Sequence, residues 1–181
     1  MCVFVSLTKQ NNPSLSHASS VRVRGLGYKV QSYIRLYILS FKPMVTINAS
    51  REVSAPVDRI WDIVADVDNE PKYWHGTKTV KNISKAGNKI EREVTIAFRD
   101  SKCLQTVLLN PQKSVEIMIT EGPIRGTKIV TLSPLGNLKT RIDVVWNIKL
   151  AGFLGLFTGM VKRHIAEGTD EALASIAKAA E

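Results

Sequence analysis

Residues 77 to 149 contain a series of segments in which apolar and polar side chains alternate, with only short turns between them. Alternation with a period of two is typical of β-strands that have one dry face and one wet face. Such short connections join antiparallel neighbours, because a parallel crossover needs about a dozen residues or more. The pattern therefore predicts an antiparallel meander with strands near 77–85, 88–98, 102–109, 113–121, 125–133 and 138–149.

A strand and three helical segments flank this meander. Residues 45–53 alternate as a strand, and Pro56 begins a short amphipathic helix that ends near Asp66. A second short helical stretch covers 68–74. Residues 156–180 carry apolar side chains at spacings of three and four, which predicts a helix of about six or seven turns. The element order β-α-α-β6-α predicts an α+β fold with seven antiparallel strands and one long C-terminal helix.

Charge is distributed unevenly along the chain. The formal net charge is +9, but residues 1–43 hold six basic side chains and no Asp or Glu. The remaining residues therefore carry only +3, which is ordinary for a folded domain. A nucleic-acid-binding domain would concentrate positive charge and exposed aromatic rings on its folded surface. The distribution therefore argues against nucleic acid as a partner.

Residues 1–43 differ in composition from the rest of the chain. The longest uncharged run of their aromatic second half, 36–41, is too short to span a bilayer, and the features of a secretory signal are missing. Three interpretations stay open: a transit peptide, an interfacial amphipathic helix, or translated sequence upstream of a true start at Met44. We expect an extension over 1–43 that is disordered or not part of the native protein, and one folded domain over 44–181. Any membrane contact is expected to be transient or to come through the extension.

The cysteines and histidines give no sign of a metal site. Cys2 and Cys103 lie at unrelated positions, which form neither a disulfide framework nor a zinc-ligand spacing. A reducing compartment, the cytoplasm, is the simpler interpretation. His75 and His164 have no Cys, Asp or His at ligand spacing, and no glycine-rich loop has phosphate-binding spacing. The sequence therefore predicts neither a metal nor a cofactor.

The segment APVDRIWDIVADVDNEPKYWHG, residues 55–76, has a proline at the helix start, the pair Ile60 and Trp61, then Asp66 and the pair Tyr73 and Trp74. Together with the element order, it resembles the START-like, or SRPBCC, superfamily over essentially all of 44–181. This superfamily includes polyketide cyclase/dehydrase-type proteins, coenzyme Q-binding proteins and birch-pollen-allergen-like proteins. The resemblance implies a helix-grip fold, in which a curved sheet wraps around the long C-terminal helix.

The resemblance also implies a function. Members of the superfamily bind lipids, hormones, quinones or polyketides between the sheet and the long helix, and some are cyclases or ATPase co-chaperones. We therefore expect binding or carriage of a small hydrophobic ligand, although fold-level analogy leaves the function open. A polyketide cyclase/dehydrase-type enzyme, acting as a lyase or isomerase, and a protein-partner module without a ligand remain the alternatives. The oligomeric state is left open.

Arg92 is the residue most unlike its neighbours. In the strand over 88–98 it shares a face with apolar residues that include Val94 and Ile96. A guanidinium inside a dry interior needs a carboxylate, a water-filled cavity or the polar head of a ligand. Glu121 has the parity of the apolar residues in the strand over 113–121, so it is one expected partner. A position near the end of the sheet, or a bulge that reverses the parity, is the alternative.

The remaining candidate ligand contacts come from the last strand, the long helix and the Tyr-Trp pair. Trp146 shares the dry face of strand 138–149, where a core tryptophan is the competing interpretation. Glycines at 152, 155 and 159 interrupt an apolar run where this strand passes into the long helix, so the segment is a candidate lid over the cavity mouth, and packing alone is an equally compatible interpretation. The ligand-binding residues expected are Arg92, Val94, Ile96, Glu121, Trp146, Trp74, Phe157, Val161 and His164.

Overall fold

The computed structural model describes residues 44–181, apart from the side chains of residues 153 and 154. The extension predicted over 1–43 lies outside the described residues. Strands β1 to β7 cover Val45–Val53, Thr77–Ala86, Lys89–Ile96, Lys102–Asn110, Ser114–Glu121, Ile124–Gly136 and Lys139–Leu150. Helix α1 covers Val57–Val64 and helix α2 covers Thr158–Ala180, while 3₁₀-helices cover Val67–Lys72 and Gly152–Phe157.

All seven strands form one curved antiparallel sheet in the order β1-β7-β6-β5-β4-β3-β2. Strands β2 to β7 follow one another as the predicted meander, because every connection between them is too short for a crossover. Strand β1 pairs with β7, opposite the start of the meander, with Val45 facing Ile148 and Val53 facing Thr140. This is the α+β helix-grip architecture expected from the sequence, with α2 lying against the inner face of the sheet.

The core lies between that inner face and the helices. Alternate residues of the strands point inward, as in β7, where Ile142, Val144 and Ile148 have no exposed surface. The fully buried residues of α2 begin only at Thr169, and Leu173 packs among the strand residues. The first half of α2 is therefore held less firmly than the second, although the sequence pattern predicted one continuous apolar stripe. The helix also begins at Thr158 instead of 156, because a 3₁₀-helix occupies the preceding residues.

Two buried hydroxyl groups fix the helices to strand β7. Thr140 Oγ1 donates a hydrogen bond to the carbonyl oxygen of Ala55 at 2.9 Å, just before α1. Thr169 Oγ1, on α2, accepts a hydrogen bond from Trp146 Nε1 at 3.1 Å and donates to the carbonyl oxygen of Ile165 at 2.6 Å. Each bond satisfies a buried polar group, so the position of both helices over the sheet is specified as well as stabilised.

Candidate functional site

A small cavity lies between the inner face of β5 and β6, the two short helices and the second half of α2. Its volume is about 20 Å³, room for roughly one water molecule. Most of its wall is aliphatic or aromatic, and the charged residues in it are Asp66, Glu70 and Lys128. The lining consists of Ile63, Val64, Asp66, Val67, Glu70, Tyr73, Trp74, Val115, Ile117, Lys128, Val130 and Ile176.

Glu70 is the centre of a buried ion cluster beside this cavity. Its Oε1 accepts a hydrogen bond from Lys128 Nζ at 2.8 Å, and its Oε2 accepts one from Arg92 Nη2. The exposed fractions are 8% for Glu70, 0% for Arg92 and 3% for Lys128. Each carboxylate oxygen therefore serves one cation, and the cluster holds two positive charges and one negative charge away from water.

Arg92 is enclosed by acceptors from the protein itself. Its Nε and Nη2 donate to Gln105 Oε1 at 3.0 and 2.8 Å, and its Nη1 donates to the carbonyl oxygen of Val67 at 2.9 Å. Gln105 lies directly opposite Arg92 on the neighbouring strand β4. Because Arg92 also pairs with Glu70, its charge is compensated inside the fold, and the described cavity lining does not include it.

Lys128, in contrast, lines the cavity and lies against two tryptophan rings. Its Nζ is 3.2 Å from the ring centroid of Trp74 and 5.3 Å from that of Trp146. The two rings meet edge to face, with centroids 6.3 Å apart and an angle of 70° between their planes. A cation over an indole face gains about 2 kcal/mol when the pair is shielded from water. The rings thus offset part of the cost of burying the ammonium group.

The burial of this cluster shifts the acidity of its members. Burial alone would raise the pKa of Glu70, but the charges of Lys128 and Arg92 outweigh it and lower this pKa from 4.5 to about 2. Burial lowers the pKa of Lys128 below its ordinary value, while the charge of Glu70 opposes that shift. Glu70 is therefore ionised at neutral pH, and its charge favours the protonated form of Lys128.

Local structure explains how these side chains meet. Lys128, Val130 and Leu132 alternate inward on β6, and Lys128 faces Ile117 on β5 and Trp146 on β7. Glu70 belongs to the 3₁₀-helix over Val67–Lys72, and its side chain reaches Lys128 from above the inner face of the sheet. The backbone N–H of Trp74 donates to the carbonyl oxygen of Glu70 at 2.9 Å, so the turn after that helix places the indole beside the carboxylate.

The expectation that Glu121 pairs with Arg92 is wrong. Arg92 lies on the inner face, where strand alternation places it, but its carboxylate partner is Glu70. A bulge in β5 reverses the parity there, since Gln105 faces Ile119 whereas Leu104 faces Glu121. Glu121 is consequently exposed on the outer side of the sheet.

The other expected ligand contacts fall into three groups. Trp74 lines the cavity, and Trp146 adjoins it through its contacts with Trp74 and Lys128. Val94 is fully buried in the core, and Ile96 packs beside that core. Helix α2 and the residue before it carry the third group. In that group Val161 is half-buried against a second small cluster around Ile148, whereas Phe157 and His164 are exposed.

Sequence reasoning missed Glu70, Gln105 and Lys128. Lys128 could have been found, because it stands in register with Val130 and Leu132 just as Arg92 stands with Val94. Gln105 has the same parity as Cys103 and Val107, which are buried on β4. Glu70 gave no comparable signal, since a 3₁₀-helix of six residues has no hydrophobic periodicity long enough to assign a face.

The sequence of residues 44–181 matches the family model described as polyketide cyclase/dehydrase and lipid transport. The chain belongs to this family. No curated relative matches the sequence.

Solved structures show the same fold at low sequence identity. The chain is similar to the protein TTHA0849 from Thermus thermophilus, with a TM-score of 0.66, 16% identity and coverage of 75% of this chain and 97% of that one. It is similar to the Zhui aromatase/cyclase from Streptomyces sp. R1128, with a TM-score of 0.67, 15% identity and coverage of 76% and 94%. A START superfamily protein from Mycobacterium smegmatis gives a TM-score of 0.54, 17% identity and coverage of 76% and 94%. These likenesses establish the fold.

Within residues 44–181, no helix combines the length and the apolar character needed to cross a lipid bilayer.

Proposed function

We propose that this domain binds a small, mostly apolar molecule between the sheet and the long helix. The supporting observation is the composition of the cavity wall, in which aliphatic side chains and Trp74 surround the ammonium group of Lys128. Ligand sites are commonly apolar pockets with a few placed polar groups that orient the ligand. A core that served only stability would be as well packed with an apolar side chain at position 128.

A cavity of about 20 Å³ does not hold such a ligand without opening. The segment best suited to move is the first half of α2 with the 3₁₀-helix before it. Leu156 is 78% exposed and Met160 is 63% exposed, whereas the fully buried residues of α2 begin at Thr169. Moving this half would therefore break fewer apolar contacts than moving the rest of the helix. We propose that the ligand enters beneath it, past Trp146 and Val161.

The test is saturable binding of Nile red, an uncharged apolar dye, followed by fluorescence. We expect binding by the intact chain, weakened several-fold by Trp146→Ala, which removes part of the wall, and by Val161→Trp, which narrows the access route. Lys149→Ala, on the exposed face of β7, and Lys162→Trp, an exposed bulky change beside Val161, are the matched controls. Absent binding, or equal binding by all four variants, would refute the proposal and favour a partner module with a solid core.

Mass spectrometry of the natively purified protein distinguishes carriage of a ligand from the alternative that the domain is an enzyme. A copurified lipid or quinone supports carriage. Turnover of a supplied polyketide by a protein that carries no copurified molecule supports catalysis, and would replace the carrier proposal.

A further inference from the structure

The buried charges beside the cavity do not cancel. Arg92 and Lys128 bring two positive charges, and Glu70, with both carboxylate oxygens engaged, brings one negative charge. All three side chains are almost completely withdrawn from solvent. A buried charge without a partner costs free energy. A cation in a core is therefore normally paired with an anion or with oriented dipoles.

The surplus positive charge is located at Lys128. The guanidinium of Arg92 donates to Glu70, Gln105 and Val67, so acceptors surround it. An ammonium group has three N–H donors. Among residues 44–181, the structure gives Lys128 one hydrogen-bond acceptor, Glu70, and the face of Trp74 takes a second direction. At least one donor direction is left for a group that occupies the cavity.

Two other acidic or phenolic groups line the cavity besides Glu70. Asp66 is exposed and accepts a hydrogen bond from Asn69 Nδ2 at 2.7 Å, so its charge is solvated at the outer edge. Tyr73 is half-buried and contributes a phenol group. The buried cluster of Glu70, Arg92 and Lys128 therefore carries a net positive charge, and the exposed edge of the cavity carries the negative charge of Asp66. This arrangement orients an acidic ligand with its charged end innermost.

We infer that the ligand carries an anionic oxygen, as in a carboxylate or an ionised enol, and that this oxygen binds Lys128. The inference rests on the proposed function and assigns the chemical class of the ligand. The anion would bring the buried cluster to two positive and two negative charges. Its apolar remainder would lie against Trp74 and the aliphatic wall. Arg92 then acts as a positioning residue, because it holds Glu70, and through Glu70 it holds Lys128.

The experiment uses pyrenebutanoic acid and its methyl ester, in which a methyl group replaces the charge of the carboxylate, with Nile red as the neutral reference. We expect the full chain to bind the acid about tenfold or more tightly than the ester, as a charge-assisted hydrogen bond would give. Lys128→Met should remove that preference while the affinity for the ester changes less than about threefold. Lys128→Arg should retain part of the preference, and the exposed control Lys149→Met should retain all of it.

The outcomes separate this inference from the function on which it rests. If Nile red binds saturably but the acid binds no more tightly than the ester, the anionic class is wrong and the apolar site stands. An acid preference that persists in Lys128→Met would place the anion elsewhere and overturn the role of Lys128. If no probe binds, the inference fails together with the proposed function. Comparing acid and ester on the unsubstituted chain keeps the test valid even where Lys128→Met fails to fold.

Discussion

Glu70 and Lys128 are 58 residues apart in sequence, and their side chains meet at 2.8 Å inside the domain. This contact ties the 3₁₀-helix after α1 to the middle of the sheet. Buried ion pairs contribute little net stability when compared with apolar residues of the same volume. Removing one member, however, leaves a buried charge without its partner. Substitutions within the cluster should therefore change the free energy of unfolding strongly.

The first prediction concerns Glu70→Gln. This change leaves Arg92 and Lys128 close together without a carboxylate, so we expect a loss of about 3–5 kcal/mol in the free energy of unfolding measured with urea. The control is Glu52→Gln, which breaks a pair with Lys139 in which both side chains are about half exposed. That change should cost much less, because water solvates and salt screens an exposed ion pair. Equal effects of the two substitutions would contradict the assignment of Glu70 as a buried counter-charge.

The second prediction follows from charge compensation within the cluster. In Glu70→Gln/Lys128→Met only Arg92 remains charged, and Gln105 and the Val67 carbonyl still accept its hydrogen bonds. We expect the double variant to be more stable than Glu70→Gln alone by about 1–3 kcal/mol. Urea unfolding of the parent, the two single variants and the double variant gives the coupling free energy between Glu70 and Lys128. Additive losses would show that Glu70 and Lys128 stabilise the fold independently.

The third prediction is a loss of stability in acid. The pKa of Glu70 is about 2 in the folded protein against an ordinary value of 4.5, so the unfolded state takes up the proton first as the pH falls. The contribution of Glu70 is therefore complete above about pH 5 and disappears progressively toward pH 2, on the order of 3 kcal/mol in all.

Urea unfolding at several pH values measures this effect. Exposed carboxylates that also titrate here, such as Glu52 and Glu91, contribute equally in the parent and in Glu70→Gln. The stability gap between these two proteins should therefore narrow as the pH falls from 5 to 3. A gap that stays constant over this range would show that Glu70 keeps an ordinary pKa in the folded state.

The sequence specified the fold well because the fold depends on long, regular patterns. Six alternating strands with short turns permitted essentially one topology, an antiparallel meander. The amphipathic helix that follows them could bury its apolar side only against the apolar face of that sheet. The same alternation placed Arg92 inside. It failed at Glu121, where one extra residue in β5 reverses the parity without any local sequence signal.

The site was harder to predict for a physical reason. Its members come from the 3₁₀-helix and from strands that are far apart along the chain, and only the folded sheet brings Arg92, Lys128 and Glu70 together. Pattern analysis assigns each residue to a face but does not pair residues across faces. The partner of Arg92 therefore had to come from the structure.

The fourth prediction concerns Gly126 on β6. Its φ is +134°, and a Cβ atom there would lie 2.1 Å from the carbonyl oxygen of Asn147 on β7. That contact is with backbone, which cannot rotate away, so Gly126→Ala should cost about 3 kcal/mol or more. Gly87→Ala is the control, because its φ of +59° is strained but no atom lies within 4 Å of the added Cβ. It should cost about 1–2 kcal/mol. Equal losses would mean that φ strain alone accounts for both.

The last prediction concerns the extent of the folding unit. The described core is built from residues 45 to 180, beginning with Val45, which is 6% exposed, and ending with Ala180, which is fully buried. We therefore expect a chain that starts at Met44 to unfold with the same thermal midpoint as the full chain and to bind Nile red equally. Ending the chain after Leu156 should instead abolish cooperative unfolding, because it removes Leu173 and Ile176 from the core. Differential scanning calorimetry of the three chains decides between the outcomes. A midpoint several degrees lower for the chain starting at Met44 would show that residues 1–43 stabilise the domain.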